Sequence, residues 1–127
     1  MNREQLIQFV RDQYGLDEEY LWLKFPNYAV FRHRENNKWF ALIMDVPKNK
    51  IGLDGNEIID IVDFKCDPLL IGSLICEDGI YPAYHMSKAS WVTVALDGSA
   101  DEEKIKRLLD MSFEMTAAKK GKKKNES

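Results

Sequence analysis

The 127 residues carry 18 Lys and Arg against 21 Asp and Glu, with 45% apolar and 31% charged side chains. That composition fits one soluble globular domain able to bury a core without disulfides or metals. No apolar run is long enough to cross a bilayer, and the start Met1-Asn2-Arg3-Glu4-Gln5 lacks the apolar stretch of a signal peptide. Cys66 and Cys76 show no zinc or redox spacing, so free thiols in the cytoplasm are expected.

The charge is unevenly placed. Lys119, Lys120, Lys122, Lys123 and Lys124 stand near the end of the chain with only Glu126 against them. Setting those five lysines and that glutamate aside leaves thirteen basic and twenty acidic residues, a net −7 against −3 for the chain. Such a body repels a phosphate backbone on average. Contact with nucleic acid then requires a local basic patch or the lysine run.

In chain order, Asn2 to Tyr14 reads as a helix. Asn2 and Gln5 stand at capping-box positions, Leu6, Phe9, Val10 and Tyr14 make an apolar face, and Gly15 supplies a stop. Leu21 to Phe25 is apolar and reads as an extended approach or a short edge strand. Tyr28–His33 and Lys38–Val46 read as a strand pair joined by the turn Glu35-Asn36-Asn37. Trp39, Ala41 and Ile43 share one parity of the second strand, and Phe40, Leu42, Met44 and Val46 the other. Apolar residues on both parities predict a strand covered on both faces. Pro47 to Asn56 reads as a loop, and Ile58 to Phe64 as a third strand. Asp67 caps a helix with Pro68 at its first position, with apolar contacts from Leu69, Leu70, Leu74 and Ile75 and an end at Gly79. Ile80 to Met86 reads as extended and Trp91 to Leu96 as a strand, with a turn at Asp97-Gly98. Ser99 and Glu102 suggest a capping box for a last helix burying Ile105, Leu108, Leu109 and Ser112, with fraying near Ala118. The pattern predicts an α+β two-layer sandwich, an antiparallel sheet with helices on one face, in the order α-β-β-β-α-β-β-α.

Four segments carry a resemblance: Lys38-Trp39-Phe40-Ala41-Leu42, Phe64-Lys65-Cys66-Asp67-Pro68, Pro82-Ala83-Tyr84-His85-Met86-Ser87-Lys88, and Trp91 to Gly98. In this order and spacing the chain resembles the MmcQ/YjbR family from about Leu6 to Ser112. The resemblance implies a fold like that of secretion chaperones: helix, three strands, helix, two strands, helix in two layers. It also implies DNA binding, in which β-hairpins flank a helix as a double wing and grip the duplex backbone. The chain departs from the usual pattern at Ala83 (commonly Gly), Ser87 (Asn), Ser90 (His) and Val92 (Asn). The expected organisation is an MmcQ/YjbR-like domain over residues 1–118 and a disordered lysine-rich tail over 119–127.

Two sets of residues are candidates for function. Arg32, His33, Arg34 and Lys38 at the hairpin tip, extended by Lys48 and Lys50, offer a wing for phosphates; the alternative is a solvated sheet edge guarded by charge. Trp39, Tyr84, His85, Lys88 and Trp91 offer a ligand pocket; the alternative is core packing by the aromatics and a structural hydrogen bond from His85. His85 beside Ser87 and Lys88 does not make a nucleophile–base pair by sequence order alone, and no elbow or oxyanion signature precedes Ser87. His33 and His85 are far apart and nothing has zinc spacing, so no metal, cofactor or catalytic residue is expected. The expectation is a non-enzymatic binding module. Its partner is either double-stranded DNA, held weakly and without sequence preference through the hairpin, or a protein or small ligand on the sheet face.

Overall fold

A computed structural model describes residues 1–118; the lysine-rich tail, residues 119–127, expected to be disordered, lies outside the described residues. The chain runs α1 (Arg3–Tyr14), β1 (Ala29–Arg32), β2 (Trp39–Pro47), β3 (Ile58–Lys65), α2 (Pro68–Leu74), β4 (Ile80–Pro82), β5 (Trp91–Ala95) and α3 (Glu102–Thr116). The strands form one antiparallel sheet in the order β1-β2-β3-β5-β4. This is the α+β architecture and element order that the sequence predicts.

The helices share one face of the sheet. Leu6 and Val10 of α1, Leu74 of α2, and Ile105, Leu108 and Leu109 of α3 pack against Ala29, Phe31, Ala41, Ile43, Val62, Phe64, Val92 and Val94. Asn2 starts α1 through a reciprocal capping box with Gln5, both bonds at 2.9 Å. Gly15 closes that helix at φ 68°, in the left-handed region, and its N–H bonds to the Arg11 carbonyl, the geometry glycine adopts without a Cβ penalty. Buried Ser112 fastens α3 to two strands: its hydroxyl donates to the Phe40 carbonyl at 2.6 Å and accepts from the Lys65 N–H at 2.9 Å.

The opposite face carries a second core without a helix. Val30, Leu42, Met44, Val46, Ile61 and Ala95 project there and are covered by Tyr28, Ile51 and partly buried residues of the connecting segments, among them Trp22, Trp39, Tyr81, Tyr84 and Met86. Two apolar faces explain why β2 is apolar on both parities.

Several boundaries differ from expectation for identifiable reasons. The β1–β2 register steps from Phe31↔Ala41 to Arg32↔Trp39. This bulge places Phe40 with Ala41 on the helix face and Trp39 with Leu42 on the other, reversing the parity predicted for both aromatics. Leu21–Phe25 forms no strand; the covering of β1 comes from Glu19, which exchanges two backbone bonds of 2.9 Å with Val30. The Pro47–Asn56 loop contains a 3-10 turn at Lys48–Ile51. The last helix is capped by Asp101, whose carboxylate accepts from the Lys104 N–H. Ser99 instead bonds through both its N–H and its hydroxyl to Asp97, so it belongs to the preceding turn. α2 ends at Leu74 rather than at Gly79, and only part of its apolar set is buried: Leu69 is 90% exposed, and Leu70 and Ile75 are also exposed. Between α2 and β5, extended structure is confined to Ile80–Pro82 rather than reaching Met86.

Candidate ligand-binding cleft

On the face opposite the helices and at its edge by the end of α3, Trp39 at the start of β2 and Met86 in the β4–β5 connection both line two adjoining hollows. The first, about 300 Å³, is completed by Lys38, Lys65, Trp91 and the end of α3 at Met115 and Thr116. The second, about 220 Å³, is completed by Trp22, Phe25, Tyr28, Leu42, Met44 and His85. The first hollow reaches the lower end of small-molecule sites, which run from roughly 300 Å³ upward, and the second, smaller one adjoins it. All three tryptophans of the chain line this cleft.

The aromatic walls hold one another in place. Trp22 meets Trp39 edge-on at 5.6 Å and Tyr28 at 5.9 Å, and Phe25 stacks on Tyr28 at 4.7 Å. The Lys65 ammonium lies 5.8 Å from the Trp91 ring centre, within cation–π range. The far wall comes from an irregular segment whose backbone is bonded at both ends. The Tyr84 N–H donates to Thr93 Oγ1 at 2.9 Å, and the Ser87 carbonyl accepts from the Trp91 N–H at 2.9 Å. His85 sits between these points at φ 70°, a conformation that costs a non-glycine residue energy and persists only under surrounding constraint. Its ring lies 4.1 Å from that of Tyr84.

Beneath the cleft floor lies a buried carboxyl group. Asp63 and Thr93 are opposed across β3 and β5, and Leu42, which lines the second hollow, opposes Asp63 from β2. Asp63 is fully buried. Its Oδ1 accepts a short hydrogen bond from Thr93 Oγ1, while Oδ2 has no hydrogen-bond partner among the described residues. Burial pushes its pKa from 3.8 up to about 7, against the smaller opposing effects of the Thr93 bond and the charge of Lys88. A carboxyl so placed gains little from ionising, because desolvation outweighs one hydroxyl donor and one distant ammonium.

The predicted residues separate into two groups. Trp39, His85 and Trp91 meet at the cleft; Tyr84 packs beside it, and Lys88 is exposed outside both hollows, acting on Asp63 through its charge. The basic set does not gather into one surface. Arg32 donates two bonds to the Glu19 carboxylate, at 2.9 and 2.8 Å, and Arg34 donates to the Gly15 carbonyl at 2.9 Å. His33 is buried, with Nε2 bonded to the Phe113 carbonyl and Thr116 Oγ1. Since that hydroxyl donates to the Ser112 carbonyl, Nε2 carries the proton and donates. Burial lowers the pKa of His33, which keeps the ring neutral at pH 7. Lys48 and Lys50 follow β2, whereas Lys38 precedes it. Nine residues of strand set them roughly 30 Å apart at about 3.3 Å per residue, and Lys48 pairs with Glu57. Glu18, Glu19 and Asp17 line the hollow that adjoins Arg32 and Arg34.

Asp63, Trp22, Phe25, Tyr28 and Met86 are not among the residues singled out from sequence. Asp63 had a signal: it is a carboxylate between Val62 and Phe64 in a strand apolar on both parities. Trp22 and Phe25 sit in a segment without periodicity, so only the tertiary fold places them.

Residues 11–115 match the family model described as YjbR. The uncharacterized protein YyaQ of Bacillus subtilis is 40% identical over 116 residues, covering 91% of this chain and 98% of that protein. A crystal structure of a Pseudomonas syringae protein is similar at 47% identity and TM-score 0.90, over 92% of this chain and 100% of that one. A Deinococcus radiodurans crystal structure is similar at 25% identity and TM-score 0.68, over 97% of this chain and 83% of that one.

Proposed function

The chain belongs to the YjbR family, and we propose that it is a non-enzymatic module that binds a small ligand in the cleft on the helix-free face of its sheet. One observation carries this: the three tryptophans, two further aromatic rings and Met86 are spent around two adjoining hollows that share Trp39 and Met86. A face needed only for packing closes over its apolar side chains. Concave apolar walls with few convergent polar groups are the usual form of a ligand site. Both cysteines are free thiols, which supports work in a reducing compartment such as the cytoplasm.

Duplex binding by the hairpin has less support. Its Arg32 is held by Glu19, His33 is buried, and Lys48 and Lys50 lie at the other end of β2. The direct test is a screen of small apolar and aromatic compounds by tryptophan fluorescence and calorimetry, repeated on Trp39→Ala and Met86→Glu. Saturable binding lost in both variants supports the cleft. Retained binding in both moves the site elsewhere, and a duplex bound in preference to every compound returns the hairpin to first place.

A further inference from the structure

We propose that the cleft is built for a small organic acid: an apolar, ring-sized body in the Trp22–Tyr28 half and a carboxylate held between Lys38 and Lys65. This rests on the cleft being a ligand site and adds the charge and polarity of what it takes.

The two hollows differ in chemistry. The half around Trp22, Phe25 and Tyr28 is lined by aromatic, Leu and Met side chains and by His85, with no Lys, Arg, Asp or Glu. The carboxylate near Tyr28 is Asp45, and it accepts the Asn27 side-chain amide at 2.9 Å, so it is already engaged. The other half carries Lys38 and Lys65 over Trp39, Trp91 and Met86, and no carboxylate lines it.

What distinguishes those two lysines is their place beside the apolar walls of the hollow. Acidic residues outnumber basic ones in the body by twenty to thirteen, and several of its cations hold carboxylates, whereas Lys24, Lys50, Lys88 and Arg107 make no ion pair among the described residues. Arg3 holds Asp60, Arg11 holds Asp17 and Glu18, Arg32 holds Glu19, Lys104 holds Glu77 and Lys106 holds Glu102. Among the described residues, neither the Lys38 nor the Lys65 ammonium makes an ion pair or a hydrogen bond. Lys65 is half-buried, and its ammonium is drawn over the Trp91 ring instead. Two unpaired ammonium groups at one end of the sheet, beside apolar walls that lower the local dielectric, attract an anion more strongly than a solvated pair does. A second anion-holding residue of the usual kind is lacking: no arginine lines either hollow. This favours a compact carboxylate held by point charges over a bidentate fork.

The test is calorimetry on the full chain with 2-naphthoate, indole-3-acetate, 3-phenylpropionate and decanoate, each beside its neutral primary amide. Lys38→Gln, Lys65→Gln and the double variant are measured in parallel; both side chains reach solvent, and circular dichroism verifies the fold. At least one acid should bind tenfold or more tightly than its amide. The double variant should erase that preference while leaving the affinity for the amide within twofold of the parent. Equal binding of acid and amide, unaffected by the lysine substitutions, overturns the anion inference and leaves the cleft as a site for neutral compounds. Binding of no acid and no amide overturns the cleft itself. An acid preference that survives the double variant assigns the anion to other cations, the lysines beyond residue 118 included, and refutes the role of Lys38 and Lys65.

Discussion

Asp63→Asn should remove a pH dependence of stability that the parent protein shows between pH 5 and 8. The native carboxyl holds its proton to about pH 7, whereas an unfolded aspartate releases it near 3.9. Between those values the unfolded state has lost the proton and the native state has kept it, so raising the pH favours unfolding. The resulting destabilisation begins above pH 4 and grows until ionisation of the native group near pH 7 levels it off. With those two values the loss is about 1.5 kcal/mol at pH 5 and about 4 kcal/mol at pH 8, an increase of roughly 2.5 kcal/mol across the interval. Asparagine keeps the shape and the acceptor for Thr93 Oγ1 but cannot ionise. The assay is urea unfolding of both proteins at pH 5 and pH 8. The pH-dependent change in the parent, minus that in the variant, should be about 2–3 kcal/mol, with the parent weaker at pH 8. Every other titrating group cancels in this double difference. A double difference near zero would mean that Asp63 is ionised throughout, and that the cleft floor is better solvated or better paired than its burial implies.

Trp91→Ala removes a side chain that is 7% exposed and should cost roughly 3–5 kcal/mol by chemical denaturation; a cost under 1 kcal/mol would contradict its packing. Asp101→Ala should cost about 1 kcal/mol through loss of the α3 cap, and Ser99→Ala distinctly less. Equal costs would assign the cap to the turn. Alanine substitution of Arg32 should change low-salt affinity for a short duplex by less than about twofold, since its guanidinium is already held by the Glu19 carboxylate; a large loss measured by fluorescence anisotropy would reinstate the hairpin as a wing.

The fold was legible where local chemistry and periodicity agree. Asn2 with Gln5, Asp67 with Pro68, and the spacing of Ile105, Leu108 and Leu109 each fix a helix within a few residues of chain. Where two local solutions compete, the nearer carboxylate won: Asp101 reaches the free N–H of Lys104, leaving Ser99 to Asp97. The parity of Trp39 and Phe40 could not be read, because a bulge is a property of the strand pair and not of either strand. The cleft was half legible. Trp39, His85 and Trp91 were visible as a cluster of large polarisable side chains, but their counterparts Trp22, Phe25 and Tyr28 arrive from a segment with no repeat. The basic hairpin was legible as charge, but the acid that holds Arg32, Glu19, lies 13 residues earlier in sequence.

Ligand binding in the cleft is measured most directly by a two-dimensional amide and indole NMR titration of the full chain with 2-naphthoate. All three indole N–H groups report on the cleft, from Trp22 at one end to Trp91 at the other. Saturable shifts of the Trp22, Trp39 and Trp91 indoles and of the Met86 amide are expected. The amides of Leu6, Val10 and Ile105, on the helix face, should stay in place. Shifts centred on the exposed apolar side of α2 at Leu69 and Leu70, or on the hairpin with the indoles unmoved, would contradict binding in the cleft.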